Sequence, residues 1–390
     1  MVKQVLRVAF AFVGVVVGAG FATGQEIMQY FVAFGINGVW GAVLSAVIMS
    51  LMAMIILQLG SYFQASEHGE VFRRVSHPIF SRVLDIGVII TLFATGFVMF
   101  AGAGANMEQQ WGIPVWIGAV IMVLVTIAAG FLDVDRVTTV IGSITPFIVG
   151  FILLASVYTL AFTDATPAAE QAAAVAEVPT TLPNWVVAAV NYVGFNLMVA
   201  VSMAIVIGLF NPRAAGAGGF TGGLIYSAML LITTITLFHT VGTVATDAVP
   251  MLTVINRLHP WLGQAMAVVI LGMIFNTALG MFYALGRRVT ANHPEKFKIV
   301  YVALVLLGFA LSFMGFQNLI GWVYPILGYI GLLLITVMLV AWLRGRERIS
   351  EETSRRKRIF RLVRRGRNKE AREEIEDSNL SVEEVREAIE

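Results

Sequence analysis

A glycine-rich stretch in the first apolar segment carries the residues best suited to bind a ligand. It reads Val17-Gly18-Ala19-Gly20-Phe21-Ala22-Thr23-Gly24 and is followed at once by Gln25 and Glu26. Each glycine costs a helix about 1 kcal/mol relative to alanine, so the stretch predicts a break in the helix. A break inside a membrane frees backbone N–H and C=O groups that lipid cannot solvate. The N–H groups suit a carboxylate, and the carbonyls suit a cation.

Two interpretations of this stretch are open from the residues alone. The glycines could instead form a small-residue packing face against a neighbouring helix. The adjacent Gln25 and Glu26 favour the break, because polar residues at membrane depth need polar partners. Glu26 has two candidate roles of its own. It could cap the second half-helix, where an acid suits the positive end of the helix dipole, or it could carry protons.

Two further segments place polar residues in the middle of apolar stretches. Asn191-Tyr192-Val193-Gly194-Phe195-Asn196 predicts a second interrupted helix, and paired interruptions are a sequence sign of a transport site. Phe275-Asn276-Thr277-Ala278 offers an amide and a hydroxyl that could complete a cage around Na⁺. The alternative for this segment is a threonine bonded back to its own helix, with the asparagine in an interhelical hydrogen bond.

The composition argues against an enzyme and against a resident cofactor. The chain has no cysteine, which excludes disulfides, thiol catalysis and a cysteine-built metal site. The five histidines show no metal-ligand spacing on one helix face. The sequence also lacks a nucleophile paired with a base and a phosphate-binding loop. We therefore predict no catalytic residue and no cofactor, apart from Na⁺ as a coupling ion.

The segments that position these residues are long and apolar. Of the 390 residues, 58% are hydrophobic and 13% are charged, and the mean hydropathy is +0.83. In a soluble domain, roughly a quarter of the residues are charged. Because a spanning helix needs roughly 20 apolar residues, we predict an all-α membrane protein with ten transmembrane helices. The predicted spans are 5–34, 36–60, 83–107, 113–132, 137–162, 184–210, 219–245, 260–286, 299–316 and 318–343.

The basic residues predict the orientation and the domain organisation. With ten spans and a cytoplasmic amino terminus, 25 of the 26 Lys and Arg lie on the cytoplasmic side, as the positive-inside rule requires. Both termini are then cytoplasmic. The predicted parts are a first repeat (1–162), an acidic extracytoplasmic loop (163–183), a second repeat (184–343) and a basic cytoplasmic tail (344–390). Because each repeat has an odd number of helices, the second repeat starts on the opposite side of the membrane and is inverted relative to the first.

The basic tail also predicts the partners of the chain. Residues 344–390 contain 14 of the 26 Lys and Arg, and basic clusters beside a span attract anionic lipid headgroups. We expect the bilayer, anionic lipids at the tail and a small-molecule solute as partners, and no nucleic acid.

This arrangement resembles the five-plus-five inverted-repeat transporters, the LeuT-like group of the amino acid–polyamine–cation superfamily. Within that superfamily, GAGFATGQE at residues 18–26 resembles the YkvI-type bacterial membrane proteins. The architecture match covers residues 1–343, and the motif match covers residues 14–26. The resemblance implies a secondary transporter in the bacterial cytoplasmic (inner) membrane, with helices 1 and 6 interrupted. It would move a small polar or zwitterionic solute, such as an amino acid or a derivative, by alternating access.

The resemblance also implies which residues form the central site. The solute-binding residues would be Ala19, Gly20, Phe21, Thr95, Met99, Tyr192, Phe195 and Asn196, of which Thr95 and Met99 are chosen by depth in the third span. The sodium ligands would be the carbonyls of Gly14, Val17 and Met273 and the side chains of Asn276 and Thr277. The sequence departs from the family pattern at Asn276, where a hydroxyl residue is usual. It also has Phe21 where an asparagine often binds a second sodium, so we expect one sodium ion at most.

Two alternatives to a sodium-coupled transporter stay open. One is a proton-coupled transporter that uses Glu26 for proton transfer or gating. The proton-coupled relatives carry a lysine in the fifth span, whereas residues 137–162 contain no Lys or Arg, which favours sodium. The other alternative is a membrane sensor or scaffold that has the transporter fold and does not transport.

Overall fold

Helices form all of the regular structure in residues 2–65, 68–132, 145–207 and 212–380, which the computed structural model describes. The helices of the first part are α1 (Val2–Val16), α2 (Ala19–Thr23), α3 (Gln25–Tyr30), α4 (Ile36–Phe63), α5 (His68–Val75), α6 (Pro78–Trp111), α7 (Val115–Ala129), α8 (Thr145–Phe162) and α9 (Ala168–Glu177). The helices of the second part are α10 (Trp185–Val206), α11 (Pro212–His239), α12 (Val241–Val244), α13 (Pro250–Leu258), α14 (Pro260–Val289), α15 (Phe297–Ser312), α16 (Phe316–Arg364) and α17 (Asn368–Glu376).

The long helices are apolar on their outer surfaces, as lipid contact requires. Six of the described helices, α4, α6, α10, α11, α14 and α16, are long and apolar enough to cross a membrane, and α7 and α8 are shorter apolar helices. Large apolar side chains such as Trp40, Leu124 and Leu307 are more than half exposed. The chain is therefore a membrane protein. The predicted spans 137–162 and 184–210 lie partly outside the described residues, so the count of ten helices stays a prediction.

The break predicted in the first span is confirmed. Val17 and Gly18 are not helical and separate α1 from α2. Gly24 then joins α2 to α3 with a φ of 80°, a left-handed conformation that glycine adopts without strain. A Cβ added at Gly18 would meet no atom within 4 Å. Gly18 is therefore not part of a packing face, and the alternative interpretation does not apply to it.

The interruption predicted at Gly194 is wrong. Helix α10 continues unbroken through Asn191–Asn196, because the polar side chains find partners on other helices. The Asn191 amide nitrogen donates to the Pro325 carbonyl at 2.9 Å, and its oxygen accepts from the Tyr30 hydroxyl at 3.1 Å. Gly194 lies against α16, where an added Cβ would be 2.6 Å from the Gly328 carbonyl oxygen. This glycine serves close helix packing.

Close packing of small residues also holds α1 and α4 against α11. An added Cβ at Gly219 would be 2.5 Å from the Ala53 carbonyl oxygen of α4, and one at Gly222 would be 2.8 Å from the Ala9 carbonyl oxygen of α1. Such contacts let helix backbones approach closely in a membrane, where the hydrophobic effect does not drive helices together. They fix α1, which carries the first half of the broken span.

Helix α16 extends beyond its predicted span, 318–343, and forms the first part of the basic tail. It runs without a break to Arg364. The Arg356 side chain is 1% exposed and donates to the carbonyls of Ser61 and Tyr62 at 2.9 and 3.0 Å. These two carbonyls belong to the end of α4, where the last carbonyls of a helix lack intrahelical donors. The tail is therefore docked on the transmembrane bundle.

Glu352 holds the buried arginine in place. Its carboxylate accepts from Arg356 Nε at 2.7 Å and from the Ser378 hydroxyl at 2.6 Å. Burial alone raises the pKa of the Glu352 carboxyl, but the hydrogen bonds and the arginine charge outweigh it and lower the pKa below its usual value. The contact thus contributes stability above the ordinary carboxyl pKa and loses it as the pH falls through the lowered value.

Candidate functional site

A cavity of about 300 Å³ lies beside the break between α1 and α2. Helices α6, α10, α14 and α16 form its other walls. The predicted site residues that line it are Gly14, Val17, Ala19, Gly20, Glu26, Thr95, Met99, Phe195, Asn196, Met273, Asn276 and Thr277. Segments that are up to 310 residues apart in the sequence, from Gly14 to Tyr324, therefore meet at one recess in the middle of the bundle.

Glu26 is the one charged side chain among the described residues that line the cavity. It is 3% exposed, and one carboxylate oxygen accepts from the Tyr192 hydroxyl at 3.1 Å. The other oxygen lies against Gly20, where an added Cβ would be only 2.5 Å away. Gly20 therefore makes the space that the carboxylate occupies. The cavity presents a single acid, which is the recognition chemistry of a cation or of a proton.

Two tyrosines connect Glu26 to a second group on the cavity wall. The hydroxyls of Tyr192 and Tyr226 are 2.7 Å apart, and the Tyr226 hydroxyl donates to the Asn196 amide oxygen at 3.3 Å. Both tyrosines are completely buried. Because Glu26 and Asn196 both face the cavity, this hydrogen-bonded chain fixes the positions of its two polar ends.

Polar and aromatic groups complete the deep end of the cavity. The Thr95 hydroxyl is buried and has no hydrogen-bond partner among the described residues, so it is available to a ligand. Phe195 stacks on Tyr324 with ring centroids 4.0 Å apart. An aromatic pair beside a carboxylate favours a cationic group, because ring faces attract positive charge.

The predicted sodium residues lie on the same cavity. Asn276 and Thr277 are half-buried on the continuous helix α14. Within the described part of the chain, neither side chain forms the hydrogen bonds that the structural alternative requires, while many other threonines bond back to their own helices. The Val17 carbonyl also receives no hydrogen bond from a described residue. These oxygen atoms fit a hard cation such as Na⁺.

Two predicted solute contacts do not reach the cavity. The Phe21 ring points to the other side of α2 and packs against Tyr226 with centroids 5.4 Å apart. Tyr192 lies behind Glu26 and binds its carboxylate. Both residues therefore support the wall of the cavity. Successive residues of a helix point in different directions, so Ala19 and Gly20 of α2 face the recess and Phe21 does not.

The cavity opens toward the end of the bundle where α1 begins and α14 ends. Exposure rises along α14 from buried Met273 to exposed Ala284, and Ala284 also lines the cavity. The opposite end is closed. There, the Gln109 side chain exchanges two hydrogen bonds of 2.9 Å with the backbone of Val249, and Gln29 donates to the Gln317 carbonyl at 3.0 Å.

A charged cluster lies at the open end. Arg288, near the end of α14, forms an ion pair with Asp85 of α6 and contacts His68 of α5 at 2.6 Å. The other nitrogen of His68 is 3.1 Å from the Ser202 hydroxyl of α10, and Ser202 lines the cavity. The cluster ties four helices together around the mouth.

Several residues of the cavity wall and of the charged cluster were not predicted to belong to the site from the sequence. Tyr324 and Tyr226 lie on helices that carry no glycine break at their positions, and a lone tyrosine in an apolar segment gives no sequence signal. For the charged cluster a signal was present. Asp85, His68 and Arg288 are polar residues at helix ends, but only the folded structure brings them together.

The comparisons with known proteins support the resemblance of residues 18–26 to the YkvI-type membrane proteins. No family model matches the chain. The chain is 28% identical over 336 residues to the uncharacterized membrane protein YkvI of Bacillus subtilis (strain 168), covering 85% of this chain and 94% of the relative. It is 26% identical over 333 residues to the uncharacterized protein YyaD of the same organism, covering 84% and 94%.

Among solved structures, the chain is similar to MhsT in complex with L-phenylalanine. The TM-score is 0.53 at 16% identity, and the match covers 87% of this chain and 98% of MhsT. At this identity the likeness shows the fold alone. This chain is thus a membrane protein with the LeuT fold, similar in sequence over most of its length to YkvI and YyaD.

Proposed function

We propose that this protein is a secondary active transporter for a small polar solute that carries an ammonium group. The observation that carries the proposal is the Glu26 carboxylate, which faces a solute-sized cavity at the break of the first helix. The LeuT fold supports transport, and MhsT was solved with L-phenylalanine, a solute that bears such a group.

The neutralisation of Glu26 gives the transporter a coupling mechanism. An unpaired carboxylate in a membrane interior costs several kcal/mol, so a proton or the ammonium group of the solute neutralises it. These two cations compete for one carboxylate. Arrival of the solute then displaces the proton, which couples the movement of the two.

This chemistry limits the pose of a zwitterion such as an amino acid. A solute carboxylate on the amide of Gly20, the predicted position, would lie directly beside the Glu26 carboxylate. Two carboxylates at that distance repel each other unless one is protonated. We therefore place the ammonium group at Glu26 and the remainder of the solute toward Thr95 and Asn196.

We place the protein in the bacterial cytoplasmic membrane with both termini in the cytoplasm. The basic loops and tail support this orientation under the positive-inside rule. The open end of the cavity, where α1 begins and α14 ends with Arg287 and Arg288, then faces the cytoplasm. On this placement, we assign the structure to an inward-facing step of alternating access, with the closed end at Gln109 and Val249 as the extracytoplasmic gate.

The sodium variant of the proposal uses one ion bound by Gly14, Val17, Met273, Asn276 and Thr277. The support is that all five residues line the cavity that Glu26 also faces. If Na⁺ is the coupling ion, binding of the solute is tighter in NaCl than in KCl, and Thr277→Ala removes the difference. Equal affinity in both salts would leave the proton as the coupling ion.

The proposal is tested by thermal-shift measurements on the full-length protein in detergent, with matched sets of amines, zwitterions and carboxylates. We expect stabilisation by solutes with an ammonium group in wild type, and loss of that stabilisation in Glu26→Gln. Glu108→Gln removes an exposed acid of α6. It serves as the control, in which stabilisation by ammonium solutes is retained. Stabilisation by carboxylates alone, unchanged in Glu26→Gln, would contradict the proposal.

A further inference from the structure

A second cavity, outside the proposed transport site, lies where α16 leaves the membrane. It measures about 380 Å³ and is lined by Arg213, Trp342, Arg346, Ser350 and Lys357 among others. We call it the tail recess. Three of its residues are basic, and no acidic side chain of the described residues lines it. The lining side chains therefore carry a net positive charge, which favours anions.

The tail recess begins where the apolar part of α16 ends, which is the level that we assign to the lipid headgroups. The apolar part of α16 ends at Leu343, and Arg344 begins the basic tail. Trp342 is half-buried beside the recess, and its indole nitrogen donates to the Gln58 side-chain oxygen at 2.7 Å. Tryptophan is enriched at this boundary, where its ring meets the apolar region and its N–H meets polar groups.

The walls of the recess are held in a fixed arrangement by the docked tail. Arg346, Ser350 and Lys357 lie on one face of α16, at spacings of four and seven residues. The same helix is fastened to the end of α4 by buried Arg356, which donates to the Ser61 carbonyl at 2.9 Å. The opposite wall includes Arg213 in the first turn of α11, the positive end of that helix.

We propose that the tail recess binds the headgroup of an anionic phospholipid through its phosphate. Arg346 and Lys357 form no ion pair with a described residue, so both cations are available to the phosphate. Their backbones are about 16 Å apart along the helix, but both side chains line the same recess, where they face one bound phosphate. The recess adjoins the apolar surface of α16, where the acyl chains of a lipid lie.

The experiment compares lipid binding to full-length variants in detergent by native mass spectrometry. The test variant is Arg346→Gln/Lys357→Gln. The matched control is Arg344→Gln/Arg348→Gln, which removes two exposed arginines from the opposite face of α16. The probes are phosphatidylglycerol, phosphatidylcholine and inorganic phosphate. All four substituted residues are exposed, so the variants are expected to melt at the wild-type temperature.

We expect wild type to bind phosphatidylglycerol in preference to phosphatidylcholine. The test variant is expected to bind phosphatidylglycerol about 30-fold more weakly and the control variant within about threefold of wild type. Equal weakening in both variants would show only general attraction to the tail and would overturn the proposal. Binding of inorganic phosphate as tight as that of phosphatidylglycerol would overturn the assignment to a lipid.

Discussion

Glycine at position 20 decides where the carboxylate of Glu26 lies. With hydrogen as its side chain, Gly20 lets the carboxylate come against the backbone of α2 at the edge of the cavity. Tyr192 holds the other carboxylate oxygen from behind at 3.1 Å. The acid is therefore fixed on two sides before any solute binds, and this reduces the ordering that binding requires.

The substitution Gly20→Ala tests this positioning. The added methyl would be 2.5 Å from the carboxylate oxygen, so the acid must move away from the cavity edge. We expect the affinity for an ammonium solute to fall by about tenfold or more, measured by isothermal titration. Gly150→Ala, at a position with no atom within 4 Å, is the control and keeps the affinity. Unchanged binding in Gly20→Ala would contradict the proposed role.

At the scale of the helices, the two glycine-containing segments show what a sequence can and cannot predict. The break at Val17–Gly18 was predicted because several glycines and a following acid act together within one turn or two. The segment around Gly194 has a similar composition, but its Asn191 is satisfied by Pro325, 134 residues away. Partners so distant in sequence decide whether a polar residue breaks a helix or joins two, and a single sequence does not reveal them.

The packing role of Gly194 gives a prediction about stability. In Gly194→Ala the new methyl would be 2.6 Å from the Gly328 carbonyl oxygen, so α10 and α16 must separate. Overpacking of this kind costs about 1–3 kcal/mol, which we expect as a lower melting temperature in detergent. Gly280→Ala, with no atom within 4 Å, should melt at or above the wild-type temperature. If the two variants melted alike, the packing role would be wrong.

At the scale of the whole molecule, the site residues predicted from the sequence reach the cavity because the fold brings α1, α6, α10 and α14 together. The resemblance to the inverted-repeat transporters predicted that arrangement, and the glycine-rich stretch at residues 17–24 predicted the break between α1 and α2. The exceptions, Phe21 and Tyr192, depend on the direction of single side chains. The docked tail and the cluster of Asp85, His68 and Arg288 depend on contacts between distant helices. Such contacts have no signal in local sequence.

The inward-facing arrangement is tested by chemical labelling. The chain has no cysteine, so a single introduced cysteine is the only thiol. We expect Asn276→Cys to react faster with a membrane-impermeant thiol reagent in inverted vesicles, which expose the cytoplasmic face, than in spheroplasts. Leu224→Cys, on the lipid-facing side of α11 and 49% exposed, is the unreactive control. Faster reaction in spheroplasts would contradict the orientation of the cavity.

The central claim is that the protein transports an ammonium solute that Glu26 recognises. Its most direct test is the exchange of such a solute across the membrane of proteoliposomes that contain the full-length protein. We predict saturable exchange by wild type and by Glu108→Gln, and at least tenfold slower exchange by Glu26→Gln. Exchange by Glu26→Gln at the wild-type rate would show that the carboxylate does not recognise the solute. Saturable binding to wild type without any exchange would contradict transport and would support a sensor or scaffold with the transporter fold.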